Sequence, residues 1–195
     1  MRLLLASKSA TRQAMLKAAG VPFQVADAPL DEEKAKLGLS GHNATALALE
    51  LARLKASVVP AQPADLVLGS DQVLERRDGS MLSKPATRQE AHAQLRSLSG
   101  TTHRLHSAAV IAEAGGIAWS ATESVQLKMR PLSDAFLEAY LDAEFESIRW
   151  SVGGYHVEGR GAQLFERIEG SHFAILGLPL LPLLAFLRER KVLPA

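Results

Sequence analysis

The chain opens with an apolar run, Leu3-Leu4-Leu5-Ala6, that passes without a linker into Ser7-Lys8-Ser9-Ala10-Thr11-Arg12 and then into a helical pattern. Met15, Leu16, Ala18 and Ala19 recur at helical spacing, and Gly20 followed by Pro22 supplies a stop. A strand that feeds a helix this directly leaves free backbone N–H groups at the positive end of the helix dipole. With the Ser7 and Ser9 hydroxyls and the Lys8 and Arg12 cations added, the turn is suited to hold an anion, phosphate above all. Taken alone, it is equally a plain strand–helix junction with a serine cap and solvated basic residues, and serine caps are common enough to favour that plainer reading.

The same alternation continues. Phe23 to Ala26 reads as a short strand leading to an acidic turn, Asp31-Glu32-Glu33. Residues 43–59 form a helix with Leu47, Leu51, Leu54 and Val58 along one face and Pro60 after its end. Asp65-Leu66-Val67-Leu68-Gly69-Ser70-Asp71 is a short uninterrupted apolar strand with a polar tip, the pattern of a central parallel strand. Residues 87–98 form another helix, entered through Lys84-Pro85 and closed by Ser99-Gly100. Residues 105–111 and 117–129 are strand-like around a Gly115-Gly116 hairpin turn. Ser133 caps a helix reaching about Leu141, with Phe136, Leu137 and Tyr140 on its apolar face. A glycine-rich stretch with Tyr155, His156 and Glu158 follows, and then a final strand (164–168) and helix (180–188). Alternating strands and helices followed by a hairpin imply a mixed α/β sheet.

At 195 residues the chain fits one domain, residues 1–195, with room for two lobes. A net charge of +1 and 5% aromatic residues argue against a nucleic-acid binder. The absence of cysteine excludes disulfides, thiolate zinc sites and a cysteine nucleophile, and suits a reducing cytoplasm. The apolar start ends at Ser7-Lys8, too short for a signal-peptide core or a membrane span, and residues 174–187 are interrupted by Pro179 and Pro182, so no membrane contact is expected.

Several nucleotide and hydrolase motifs are missing: no G-x-x-x-x-G-K-[ST], no G-x-G-x-x-G after a strand, and no G-x-S-x-G elbow. Asp71 is the sharpest single candidate. At the C-terminal end of an apolar strand, where ligands of open α/β sheets gather, it can ligate a divalent cation or orient water, and Gly69 would allow a ligand close. A turn aspartate bonded to its own backbone explains the position equally well. Lys84 precedes a helix start, where a cation opposes the helix dipole unless an anion is present. Lys55 sits in a helical run, and a solvated helix face is the simpler local reading for it. Glu32 either joins Asp71 at a metal or belongs to a surface acidic cluster. His103 and His106 fall on opposite faces of a strand, and no third histidine stands at metal spacing, so neither is assigned to zinc.

Taken in order, a series of segments resembles the Maf family of nucleoside triphosphate pyrophosphatases nearly end to end. They are Leu5-Ala6-Ser7-Lys8-Ser9 with Arg12, Ala52-Arg53-Leu54-Lys55-Ala56, Gly69-Ser70-Asp71-Gln72-Val73, Ser83-Lys84-Pro85 and Leu98-Ser99-Gly100-Thr101-Thr102-His103. Gly153-Gly154-Tyr155, Ile168-Glu169-Gly170-Ser171 and Gly177-Leu178-Pro179-Leu180 complete the series. The resemblance implies a cytoplasmic, often dimeric enzyme with an elongated, mostly parallel-cored mixed sheet flanked by helices, in two lobes around a central cleft. It further implies hydrolysis of a nucleoside triphosphate to the monophosphate and pyrophosphate. In that scheme Asp71 accepts the proton of the attacking water and holds a divalent metal with Glu32, while Ser7, Arg12, Lys55 and Lys84 bind the triphosphate. Magnesium or manganese suits such all-oxygen ligands.

Within the family pattern, Ser9-Ala10-Thr11-Arg12 stands where Ser-Pro-Arg-Arg is usual, so one arginine of the phosphate clamp is missing. Arg12, Gln72 and Glu158 occupy the specificity positions. Gln72 and Glu158 resemble the branch acting on 7-methyl-GTP, whereas the pyrimidine-preferring branch has threonine and glutamine there. A carboxylate at 158 can accept hydrogen bonds from the N1–H and 2-amino edge of guanine. His156, Val157 and Ile148-Arg149-Trp150-Ser151 match neither branch. The alternatives are a dTTP- or UTP-preferring pyrophosphatase and a nucleotide-binding regulator of cell division without turnover.

Overall fold

In the computed structural model, which describes residues 1–194, the opening apolar run is β1 (Leu3–Leu5) and the pattern after it is α1 (Ala10–Ala18). Ser9 caps α1, its hydroxyl accepting from the Arg12 backbone N–H at 3.4 Å. β2 (Gln24–Val25) follows. Asp31-Glu32-Glu33 then proves to be the start of a helix rather than a turn: α2 (Glu32–Gly38), capped by Asp31, whose carboxylate accepts from the Lys34 N–H. Acidic residues in a first turn complement the helix dipole, the physical signal that the turn reading passed over.

α3 (Ala44–Ser57) is capped by Asn43. Its buried face is rotated from the expected leucine stripe: Ala44, Ala48, Leu51, Ala52, Lys55 and Ala56 are buried, while Leu47 and Leu54 are only partly so. Small residues win that face because the helix lies against the sheet backbone. β3 (Leu66–Glu75) is longer than its apolar start suggested and is followed by β4 (Met81–Leu82) and α4 (Arg88–Leu98). Thr87 caps α4, and Lys84-Pro85 stands ahead of the helix as expected. β5 (Thr102–Glu113) and β6 (Gly116–Met129) form the expected hairpin. Its turn is Ala114-Gly115, one residue earlier than expected, both with positive φ (50° and 81°) as a two-residue type I′ turn requires. α5 (Asp134–Ile148) runs two turns past its expected end. A 3-10 segment (Arg160–Leu164) leads to β7 (Phe165–Glu169), a short α6 (His172–Ile175) with no periodic signature, and α7 (Leu180–Glu189).

The seven strands form one mixed sheet in the order β2-β1-β3-β5-β6-β7, with β4 on β3. β1 pairs in parallel with both β2 and β3, and the β3–β4 and β6–β7 pairs are antiparallel. The described residues form two compact units, the first of residues 1–72, 106–123 and 171–194, the second of residues 73–105 and 124–170. In the first, Leu3 and Leu5 of β1, Leu66 and Leu68 of β3 and Ile111 of β5 join Leu16 of α1 and Leu183 and Leu187 of α7 in one core. Full burial of each such leucine contributes about 2 kcal/mol. In the second, α4 packs on α5, fastened at the rim by Arg88 reaching Glu138 and Asp142. β7 is an exposed edge strand, and its alternating charges, with Glu166 paired to Lys128, discourage further strand addition. Among the described residues no helix is long and apolar enough to cross a membrane.

Candidate active site

β1 ends at Leu5, opposite Leu68, and its last bond to β3 runs from the Ala6 N–H to the Leu68 carbonyl. β3 continues past that point beside β5 but without β1, so its polar segment, Gly69 to Gln72, lies level with the turn that carries Ser7 into α1. Asp71 is thus within a strand rather than at its tip, at a level where β1 has already stopped.

Successive side chains of β3 face opposite ways. Gly69 and Asp71 face α3. A Cβ at Gly69 would stand 2.1 Å from the Ala52 carbonyl oxygen and 2.6 Å from the Ala56 nitrogen. The glycine therefore admits a helix, not a ligand, and the expectation of ligand approach at Gly69 is corrected. That close approach brings Lys55 onto β3. Its ammonium lies 2.6 Å from Asp71 Oδ1 and 2.8 Å from Glu32 Oε1. Lys55 and Asp71 are only 9% and 7% exposed. The solvated-face reading of Lys55 fails because the alanines on either side of it are the ones pressed against the strand.

Arg12 comes from α1. Its Nε donates to the Gly177 carbonyl at 2.8 Å and its Nη1 to the Ser7 hydroxyl at 3.3 Å. Ser7 Oγ also accepts from the Ser9 N–H. Burial lowers the Arg12 pKa from its ordinary value, while the fields of Asp71 and Glu32 push it back up; a guanidinium stays charged regardless. Lys8 is directed elsewhere, to an exposed pair with Asp27. The structure thus gathers Ser7, Arg12, Glu32, Lys55 and Asp71 in the first unit.

Ser70 and Gln72 point to the other face of β3. The buried Ser70 hydroxyl lies 2.8 Å from the Ala108 carbonyl and 3.0 Å from that of Gly177, and donates to them. Gln72 Nε2 donates to the Ala174 and Ile175 carbonyls of α6, both at 2.9 Å, and to Ser107 Oγ. Its amide hydrogens are therefore committed to the protein, and only its oxygen remains for a base. Lys84 and Glu158 belong to the second unit, where both are exposed. Ser70 and Gly177 were not singled out from the sequence. Both lie inside segments that carried the family resemblance, and their polar or flexible character amid apolar neighbours was the available signal. The two strand histidines are structural: His106 bonds Thr45, and His103 bonds the Tyr155 hydroxyl at 2.7 Å.

This cluster holds two cations and two carboxylates. The carboxylates of Asp71 and Glu32 both reach one point, now filled by the Lys55 ammonium, so a compact divalent cation at that point would find two hard oxygen donors. Among the described residues no three His, Asp or Glu side chains gather into a cage. Magnesium and manganese commonly use one or two carboxylates with substrate phosphates completing the shell, which this donor set fits. A carboxylate, an ammonium and a guanidinium converging at the end of a strand can position water against a polyanion and neutralise its charge.

Comparison with known proteins agrees. A family model described as Maf-like protein matches residues 2–190. A nucleoside triphosphate pyrophosphatase of Sphingopyxis alaskensis is 46% identical, with 100% of each chain covered. One of Caulobacter vibrioides is 46% identical over 94% of this chain and 93% of its own, and one of Paramagnetospirillum magneticum is 47% identical over 95% and 97%.

Proposed function

Because this chain belongs to the Maf-like protein family, we propose that it is a nucleoside triphosphate pyrophosphatase, a hydrolase that splits its substrate into the monophosphate and pyrophosphate. The observation that carries the reading is the Asp71–Lys55–Glu32 row, with the Arg12 guanidinium in the field of both carboxylates.

Asp71 acts as general base. It orients a water and takes its proton as the water oxygen bonds to phosphorus, while the anhydride bond between the α and β phosphates breaks and its electron pair leaves with the departing group. Arg12 and Lys55 bind the polyphosphate and offset the negative charge that spreads as the bond breaks. The Ser7 hydroxyl, already held by Arg12 and the Ser9 N–H, adds a polar contact at the same turn. Lys84 also binds the triphosphate. Asp71 and Glu32 would hold a magnesium or manganese ion, which would supply Lewis-acid neutralisation of phosphate charge. Lys55, paired with both carboxylates here, would exchange them for phosphate in the substrate complex.

The base is read by Glu158, whose carboxylate suits the N1–H and 2-amino edge of guanine, and the likeness of Gln72 and Glu158 to the 7-methyl-GTP branch supports that nucleotide. Arg12 and Gln72 complete the specificity set, Gln72 through its remaining oxygen and its hold on α6. Pyrophosphate release from purified protein should be measured against 7-methyl-GTP, GTP, dTTP and UTP with magnesium or manganese. Release that is fastest for 7-methyl-GTP, with the ranking altered by Glu158→Gln, supports the reading. No release from any of the four sinks it, and an unchanged ranking removes Glu158.

A further inference from the structure

The Arg12 guanidinium rests on a backbone carbonyl, and that carbonyl is itself held. Gly177 O accepts from Arg12 Nε at 2.8 Å and lies 3.0 Å from Ser70 Oγ. Ser70 is completely buried, and its single hydroxyl hydrogen is shared between Gly177 O and Ala108 O. Gly177 has φ 93°, a conformation that an L side chain rarely adopts, and a Cβ there would stand 3.1 Å from Arg12 Nη2 and 3.4 Å from Nε. One turn earlier, Ser107 Oγ donates to the Ala174 carbonyl at 2.6 Å, and Gln72 Nε2 holds the Ala174 and Ile175 carbonyls. The segment from Ala174 to Gly177 is therefore fastened to β3 and β5 by three buried or half-buried polar side chains, and its last carbonyl aims the guanidinium.

We propose that Ser70 and Gly177 are positioning residues for Arg12: Ser70 locks the Gly177 carbonyl, and the carbonyl fixes the direction of the guanidinium toward the polyphosphate. The inference rests on Arg12 binding the triphosphate, and each part fails differently. A long arginine free to rotate would lose side-chain entropy on each binding event, whereas one already held by Nε offers its Nη groups in a fixed fork. Nothing in the hydrophobic core requires a hydroxyl at position 70, and an alanine would fill most of the same space.

The test combines a direct reading of the side chain with kinetics. The Arg12 Nε–H resonance, assigned by its loss in Arg12→Lys, should be a dispersed, slowly exchanging signal in the wild-type protein. In Ser70→Ala it should shift and exchange faster. The KM for nucleoside triphosphate should rise roughly two- to tenfold, the fold-change set by the net worth of one hydrogen bond, with any fall in kcat no larger than that and the metal dependence unchanged. In an Arg12→Ala background the Ser70 change should add nothing to KM. Gly177→Ala, which keeps the hydroxyl but crowds Nη2, should move the same resonance and the same KM, and it serves where Ser70→Ala folds poorly. An Nε–H signal unmoved in both variants overturns the positioning role, as does a KM effect that adds fully to that of Arg12→Ala. A resonance that moves while KM stays constant upholds the positioning and overturns the assignment of Arg12 to the triphosphate.

Discussion

In the first unit, Lys55 and Asp71 are removed from water together, 2.6 Å apart, with Glu32 on the same ammonium and Arg12 in their field. In the second unit, His103 is equally buried, but its surroundings are the Tyr155 hydroxyl and the Tyr155 and Phe165 rings, and its Nδ1 atom has no partner. Desolvation lowers the His103 pKa from 6.5 to about 4 and raises that of Tyr155. Burial thus has two outcomes. Where charges of both signs are supplied, as around Lys55, an ionic cluster can persist away from water. Where they are not, the group gives up its charge. The first outcome leaves a set of groups that a polyanion can repartition, and the second leaves a neutral structural pair. That contrast separates the candidate site from a structural pair in this molecule.

Removing one cation from the first cluster should break the contrast most severely. Lys55→Met leaves Asp71 and Glu32 facing each other with no ammonium between them, and stability at neutral pH should fall by about 3 kcal/mol. Magnesium or manganese should restore more of that loss than it adds to the wild-type protein, as read by urea denaturation with and without metal. A loss under about 1 kcal/mol with no metal response would mean that the cluster is not a balanced one.

Acid should expose the second outcome. The folded His103 pKa lies below the unfolded one, so between pH 6.5 and about 4 the unfolded chain binds the extra proton. The contribution is complete above pH 6.5 and disappears as the pH falls through that window, by about 3 kcal/mol at most. His103→Phe should flatten this part of the stability profile, and an equally steep profile in the variant would assign the acid loss to other groups.

Gly69→Ala tests whether the helix approach assembles the first cluster. Its Cβ meets α3 backbone that can yield only by moving the helix, which predicts a loss of about 1–3 kcal/mol and a fall in turnover larger than the unfolded fraction accounts for. Retained turnover in the folded fraction would show that Lys55 reaches Asp71 by another route. The smallest effect belongs to the exposed pairs of the second unit: Arg88→Ala should change stability by under about 1 kcal/mol despite losing contacts to Glu138 and Asp142.

Most of the elements were legible because their signals are local. Ser9, Asn43, Thr87 and Ser133 each cap the helix that follows, and the parallel start of β3 reads directly from Leu66-Val67-Leu68. What local signals miss is which face turns inward. The leucines of α3 suggested one stripe, but the close approach at Gly69 selected the alanine stripe and carried Lys55 inside with it. The length of β3 was hidden because Gly69 to Gln72 looks like a strand end; it remains a strand through pairing with partners distant in sequence. α6 has four residues and no period to detect, so the carbonyls that hold Gln72 and Arg12 could not be foreseen. Arg12 and Lys55 came from a pattern of ordered segments, Asp71 from its strand as well, and Glu32 from the acidic run at 31–33; their meeting in space is what the fold adds.

The central claim is that the Asp71 carboxylate takes the proton of the attacking water. Pyrophosphate release at saturating nucleoside triphosphate and magnesium should fall roughly 10²- to 10⁴-fold in Asp71→Asn, while nucleotide still raises the melting temperature of the variant. Turnover by Asp71→Asn equal to that of the wild-type protein would contradict the account.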